Sequence, residues 1–285
     1  MRGFVGAASA CALALALAGC SGGESTQGAP LGAAASPAIG ADASLRTVTA
    51  WAKAYNGGGN SRRDAVTGAL AAAVRAGGGP SGDVELRDPV FYVPRLAGYP
   101  RWFAAAAPAG KKQALAVFVQ DKAGDAWRAA HWIETAGRLP EPSFDAQGYA
   151  VAADDRALPT AHADYLASGD QSALVPDAAS ARARAAKVGG WKAEPGRFSP
   201  GPGASYALRT KDGGALVWYG LTQQQTLTGG DRGDLPADVR ARLDERGASP
   251  DGKVRTSRQW LVLGTAPLEG RSRVLDESVA LTDAY

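Results

Sequence analysis

An α+β fold is what this chain predicts, in two related domains that each pack short helices on a curled antiparallel sheet. Three observations carry the expectation. Apolar residues at helical spacing over 45–76 give way to strand-like runs over 84–135. The same order, helices and then strands, returns between 158 and 285. Hydrophobic residues make up 45% of the chain and charged residues 21%, enough apolar material for real cores.

Taken in order, the chain opens on an export address. Arg2 precedes an apolar run from Phe4 to Leu17. That run suits the h-region of a signal and falls short of the ~20 residues a membrane-spanning helix needs. Leu17-Ala18-Gly19-Cys20 then resembles the lipobox of bacterial lipoproteins. The resemblance implies that residues 1–19 are a signal peptide, cleaved just before Cys20, and that the Cys20 thiol carries a diacylglyceryl group. Two acyl chains anchor a protein stably where one does not, at ~0.8 kcal/mol per buried methylene. The expected location is the outer face of the cytoplasmic membrane, with Cys20 as the attachment. Cys11 leaves with the signal, so no disulfide is open to the folded part.

Residues 20–44 are expected to be a flexible tether, because Leu31 and Ile39 are its only large apolar groups after Cys20. The first domain is placed at 45–135. Leu45, Val48, Ala52 and Tyr55 mark a helix that Gly57, Gly58 and Gly59 stop. Ser61 with Asp64 suggests an N-cap for a second helix through Val66, Leu70 and Val74, ended by Gly77 to Pro80. Neither glycine run is followed by the Lys-Ser/Thr pair of a phosphate loop, so both read as helix ends.

Strands follow. Val90 to Val93, held between Pro89 and Pro94, reads as an edge or bent strand. Trp102-Phe103 begins another, and Ala114–Gln120 with Ala126–Glu134 reads as a hairpin. This order over 45–135 resembles the cystatin-like and nuclear-transport-factor-2-like superfamily. Residues 136–157 read as a linker.

The second domain is placed at 158–285. Pro159 opens a short helix that turns Tyr165 and Leu166 inward, and Gly169 closes it. Ala178 to Val188 also reads as helical. Asp212-Gly213-Gly214 joins a hairpin between Tyr206–Leu208 and Leu216–Tyr219. Pro236 to Arg246 forms a surface helix with Val239 and Leu243 as its apolar pair. Strands at Gln259–Leu263 and Arg273–Leu281 complete the sheet.

Chemistry is thinly signposted. The chain has two histidines. His131 shares a strand face with Trp127, Ala129 and Ile133 and reads as a buried, hydrogen-bonded side chain. His162 and Asp164 lie two residues apart, which places them on different faces of a helix and makes a poor metal clamp. No nucleophile elbow, Ser-x-x-Lys or zinc-protease motif is present, so no catalytic residue, metal or cofactor is assigned. Asp244-Glu245 reads as a solvated helix face, while Glu134 and Asp276 are distant carboxylates that a cleft could bring together. Net charge is +3, without the concentrated basic face that nucleic acid requires.

Tyr92, Arg95, Tyr99, Arg101 and Trp102 form the candidate interaction surface, since aromatics with arginine are favoured at interface hot spots. Phe91-Tyr92-Val93-Pro94-Arg95 and Tyr99-Pro100-Arg101-Trp102-Phe103 also resemble a family of uncharacterised actinobacterial lipoproteins. So do Tyr206-Ala207-Leu208-Arg209 and Asp212-Gly213-Gly214-Ala215-Leu216. That resemblance implies export and anchoring, without an activity. The expected function is a non-enzymatic binding or scaffold protein of the cell envelope, with an envelope protein or cell-wall component as partner. The alternatives are an envelope hydrolase whose carboxylates or His131 line a cavity, and a small-solute-binding protein with a cavity in one domain.

Overall fold

Residues 34–153 and 157–285 are described by the computed structural model. Leu17, Ala18, Gly19 and Cys20 lie outside the described residues, as do Asp154 and Asp155. Order begins earlier than composition suggests. Ser36–Pro37 is a short strand, β1, and a 16-residue helix, α1, runs from Ala41 to Asn56. The last stretch of the expected tether is therefore part of the fold. Its partners are remote: Arg101 donates from Nη1 to the Pro37 carbonyl (3.0 Å) and from Nη2 to Ser36 Oγ (2.9 Å).

α1 buries Val48, Trp51 and Tyr55, the stripe its spacing predicts. The expected second helix is broken in two, into α2 (Gly59–Asp64) and α3 (Gly68–Arg75). Residues 65–67 are taken by a strand instead. Ala129 N–H donates to the Ala65 carbonyl and Thr67 N–H to the Ala129 carbonyl. The Trp51 indole also donates to the Ala65 carbonyl (3.0 Å), so tertiary partners override the local helical period there.

The first half continues as β2 (Val90–Tyr92), β3 (Arg95–Leu96), β4 (Arg101–Ala109), β5 (Lys112–Gln120) and β6 (Arg128–Thr135). β1 pairs with β3, and the other four make an antiparallel sheet in the order β2-β4-β5-β6. β2 is thus an edge strand, as its flanking prolines suggest. Gly110, at φ +63°, turns β4 into β5 through a two-residue loop.

The second half supplies α4 (Ala157–Ser168), β7 (Leu174–Val175), α5 (Ala178–Ala183), β8 (Lys187–Val188), β9 (Trp191–Ala193), β10 (Arg197–Pro200) and β11 (Tyr206–Arg209). Then come β12 (Ala215–Thr228), α6 (Ala237–Glu245), β13 (Lys253–Ala266) and β14 (Ser272–Ala284). The helix expected over 178–188 stops at Ala183, and Lys187–Val188 joins a sheet. The eight-stranded sheet runs β7-β14-β13-β12-β9-β8, with β10 and β11 also on β12. β7 lies parallel to β14, and the other pairings are antiparallel. The architecture is α+β with mixed, curled sheets.

β12 and β13 are longer than their alternation implies because both of their faces are covered. Leu216, Trp218, Leu261 and Leu263 join the core shared with Phe103, Leu115 and Phe118 of the four-stranded sheet. Val217, Tyr219, Trp260 and Val262 point the other way, onto Leu158, Tyr165 and Leu166 of α4. Close approach is needed as well: a Cβ on Gly220 of β12 would lie 2.6 Å from the Ala69 Cβ of α3. Beneath α6, Val239 and Leu243 pack with Trp191, Leu227 and Val254.

Residues 136–153 do more than connect. Ser143 N–H donates to the Arg209 carbonyl and Arg209 N–H to the Val151 carbonyl, while Ala150 N–H reaches the Val93 carbonyl. The segment hydrogen-bonds to both halves, and residues 34–285 form one compact unit.

Candidate functional site

The aromatic and arginine block of the first half is divided among several tasks. Trp102 is buried and packs on Tyr206, with ring centroids 5.5 Å apart. Arg101 holds the β1 segment and lies 5.3 Å over the Tyr99 ring. Arg95 pairs with Asp145 (3.1 Å) and covers Tyr149 at 4.7 Å, and Tyr92 lies half-buried beside Phe144. Tyr99, 45% exposed, is the member most open to a partner.

Both histidines are sealed. His131 is 1% exposed, and its Nε2 donates to the Tyr219 carbonyl at 3.1 Å, which fixes that tautomer. His162 belongs to a longer chain of bonds. Ser180 Oγ donates to Asp177 Oδ2 (2.9 Å), so it must accept from His162 Nε2 (2.9 Å). His162 Nδ1 therefore accepts the Tyr219 hydroxyl (2.9 Å). Asp177 also caps α5, accepting from the Ala179 and Ser180 N–H groups at 2.7 and 2.8 Å. With Ser180 and His162 both fully buried, this Asp-Ser-His-Tyr line ties α5 and α4 to β12 rather than presenting a nucleophile.

Behind that line lies a cavity of about 320 Å³, floored by β12, β13 and β14 and roofed by α5. Glu277 and Val279 of β14 line it, and Glu277 also borders the cleft across the strand, with Asp276 and Ser278. Both Glu277 carboxyl oxygens are shielded from water and make no hydrogen bond. Burial pushes this carboxyl up to about 8, with the Asp177 charge adding to the rise and Arg182 opposing it. Along the floor the polar groups are already engaged. Trp260 Nε1 donates to Gln223 Oε1 (3.0 Å), and Gln225 Nε2 donates to the Glu194 carbonyl (3.2 Å). Arg258 is paired with Asp238 at 2.7 Å. Among the described residues the Glu277 carboxyl has no hydrogen-bond partner, while Arg182 stands exposed at the rim. A concave site with apolar walls, a few convergent polar groups and one perturbed carboxyl is the pattern of a ligand pocket.

Glu134 and Asp276 share a second cleft, beside β14. They line a cleft of about 240 Å³ with Ser81, Lys112, Trp132, Glu277 and Ser278. Among the described residues no group of three or more His, Cys, Asp or Glu side chains is placed to hold a metal ion. Nor is any described helix long and apolar enough to cross a membrane.

Three buried groups shape stability against pH. Burial lowers His131 and His162 to about 4 from 6.5, so each favours the folded chain above 6.5 and costs stability as pH falls toward 4. Glu277, raised to about 8 from 4.5, acts the other way and costs stability as pH climbs between those values. Between 4.5 and 6.5 the unfolded chain takes two imidazole protons while the folded chain keeps one on Glu277, so stability rises with pH. Between 6.5 and 8 only the Glu277 difference remains, and stability falls. Thermal unfolding followed from pH 4 to 9 is expected to peak near pH 6.5. A midpoint still rising at pH 8 contradicts the buried, unpartnered state of Glu277.

A family model described as a domain of unknown function, DUF8094, matches residues 37–284. An uncharacterised lipoprotein of Streptomyces coelicolor is 29% identical over 253 residues, covering 77% of this chain and 76% of that protein. One from Streptomyces avermitilis is 35% identical over 54% of this chain and 55% of its own length. A second from Streptomyces coelicolor is 32% identical over 50% of this chain and 47% of its own. The chain thus spans about half the length of the latter two. No solved structure matches.

Proposed function

The chain belongs to the DUF8094 family, and on that premise we propose that it is an envelope lipoprotein that binds a small polar solute in the cavity beneath α5. Relatives named as lipoproteins support a membrane-anchored envelope protein. The finer reading puts the lipid on Cys20, beyond Leu17, Ala18 and Gly19, and the folded part on the outer face of the cytoplasmic membrane. Replacing Cys20 by serine is then expected to move the protein from the membrane fraction to the soluble fraction. Retention of the serine variant in the membrane overturns that assignment.

The observation that supports the binding function is the cavity itself, whose lining includes Glu277, with a shielded carboxyl that has no hydrogen-bond partner among the described residues. Folded proteins rarely keep such a group unsatisfied unless something else satisfies it. Binding is favoured over turnover because no free base stands opposite: the Asp177 carboxylate is consumed by Ser180 and Ala179, and His162 is sealed. A thermal-shift screen of the mature chain against small solutes and cell-wall fragments tests this. A solute at a hundred times its dissociation constant adds ~2.7 kcal/mol. The account expects hits whose shift disappears in Glu277→Gln, and equal shifts in both proteins contradict it.

A second reading rests on the Glu134 and Asp276 cleft, where two carboxylates sit with the Trp132 side chain at an open surface. Paired carboxylates suit hydrolysis of a glycosidic bond. Release of sugar from wall fragments by the wild type, abolished in both Glu134→Gln and Asp276→Asn, would favour the hydrolase.

A further inference from the structure

Where β13 begins, the large sheet carries a concave site of about 360 Å³ whose lining includes three cations, Arg197 of β10 with Lys253 and Arg255 of β13. Strand register sets them on one face. Arg197 stands opposite Gln224 of β12, and Gln224 opposite Ser257 of β13. Thr226 and Thr228 stand opposite Arg255 and Lys253. Residues that face each other across a ladder, or lie two apart on a strand, project from the same side of a sheet. Their neighbours in the chain point inward, Leu227 and Val254 beneath α6 and Phe198 against Trp260. Burying those apolar groups turns the three cations to solvent together, on strands about 10 Å apart.

None of these three side chains has a hydrogen-bond or ion-pair partner among the described residues. Other cations around this sheet do. Arg258 holds Asp238 at 2.7 Å, and Arg246 holds Asp283, the residue across from Ser257, at 2.6 Å. Glu194 is the one carboxylate side chain in the lining, and it is joined to none of the three. Tyr285 closes the sequence, and its main-chain oxygen accepts from the Arg255 N–H (2.7 Å). Like charges gathered on one face repel, and an anion seated among them removes that repulsion.

Charge and donor geometry narrow what fits. Counting side chains, three positive charges against one negative leave two positive. A phosphate monoester carries about −1.5 to −2 at neutral pH and offers three acceptor oxygens. Each arginine fork can meet two oxygens at once, and the lysine adds a point charge. Gln224, Thr226 and Ser257, on the same face, supply further donors. A lone carboxylate, with two oxygens and one charge, leaves the site short. We propose that this groove is a phosphate site, taking a phosphate monoester that is either free in solution or borne on a lipid headgroup. Its volume holds the phosphate and a small remainder, at the low end of ligand pockets.

The test has two arms, both on the Cys20→Ser chain, so that a lipid anchor cannot carry the protein onto a membrane. One is calorimetry with inorganic phosphate and glycerol 3-phosphate, and with acetate as the control. The other is co-sedimentation with vesicles made with and without phosphatidic acid. The expected result is a dissociation constant below about 1 mM for a soluble phosphate, or sedimentation that requires phosphatidic acid. The first outcome assigns a free ester and the second a headgroup. Arg197→Gln and Arg255→Gln are each expected to weaken binding at least about tenfold, and Glu194→Gln to strengthen it. Lys192→Gln removes an equal charge from β9, outside the lining, and is expected to change affinity by less than about twofold. All four positions are exposed, so the melting midpoints of these variants should stay with wild type. Acetate binding as tightly as phosphate overturns phosphate recognition. An equal loss in Lys192→Gln, or indifference to both arginine substitutions, overturns the groove as its place. Absence of binding in both arms removes the site.

Discussion

Replacing Trp51 by alanine is expected to cost about 4 kcal/mol, within the range for truncating a buried aromatic. Trp51 is 3% exposed and joins α1 to the four-stranded sheet. Its ring meets Phe118 edge-on at 5.2 Å, stacks on Trp132 at 5.7 Å and tilts over Tyr55 at 5.4 Å. Its indole N–H also holds the Ala65 carbonyl, where the chain leaves α2 for the strand contact with Ala129. Alanine would remove the packing and leave that carbonyl short of one partner. For a chain of this size the loss lowers the melting midpoint by roughly 10 °C. Trp51→Phe keeps most of the apolar contact and is expected to lose only about 1–2 kcal/mol, mainly the hydrogen bond. Urea unfolding of the two variants separates packing from hydrogen bonding. A loss below about 1 kcal/mol in the alanine variant would mean that α1 is not held to the sheet in this way.

Glu277→Gln is expected to stabilise the protein, and only above mildly acidic pH. The folded carboxyl is raised to about 8 while the unfolded one titrates near 4.5. Below 4.5 both states are protonated, and the substitution gains nothing from charge. As pH rises to 8 the unfolded chain ionises freely and the folded chain cannot, so wild type loses stability that the neutral glutamine retains. At about 1.4 kcal/mol per pH unit the full difference would be several kcal/mol, and partial solvation of the residue reduces it to roughly 2 kcal/mol. Denaturant midpoints of the two proteins should coincide at pH 4.5 and separate by pH 8.5, with the variant ahead. The reverse order at pH 8.5 would place a cation on Glu277.

Helical spacing marked α1 correctly at Val48 and Tyr55, and Val239 with Leu243 marked α6, because those stripes bury one face and leave the other wet. β12 and β13 were legible only in their apolar centres. Their outer turns are polar on paper, at Gln223 to Gln225 and at Arg255 to Ser257, and are held as strand by fourteen paired positions between them. The break at residues 65–67 had no local sign, since the competing partner, Ala129, comes from a distant strand. Trp102 illustrates a second limit. Its neighbours Tyr99, Arg101 and Arg95 have the composition of an interface, and composition does not distinguish a ring that faces a partner from one that faces Tyr206.

The candidate site was the least legible part. Asp276 attracted notice as a possible acid, but its neighbour Glu277 reads as one more charge on a strand. What makes Glu277 unusual is the roof over it, from α5, and the Asp177 charge at that helix's cap. His162 was equally mute, because its meaning lies in Ser180 and Tyr219, and neither is close in sequence.

The central claim is that the fold holds one carboxyl unpaired and uncharged beneath α5. Carbon-13 NMR of the mature chain labelled at the glutamate carboxyls tests it without any ligand. The account predicts one glutamate titrating near pH 8 and absent from the spectrum of Glu277→Gln. Glutamates that all titrate in the ordinary range near 4.5 would contradict it, and would mean that water or Arg182 already satisfies the group.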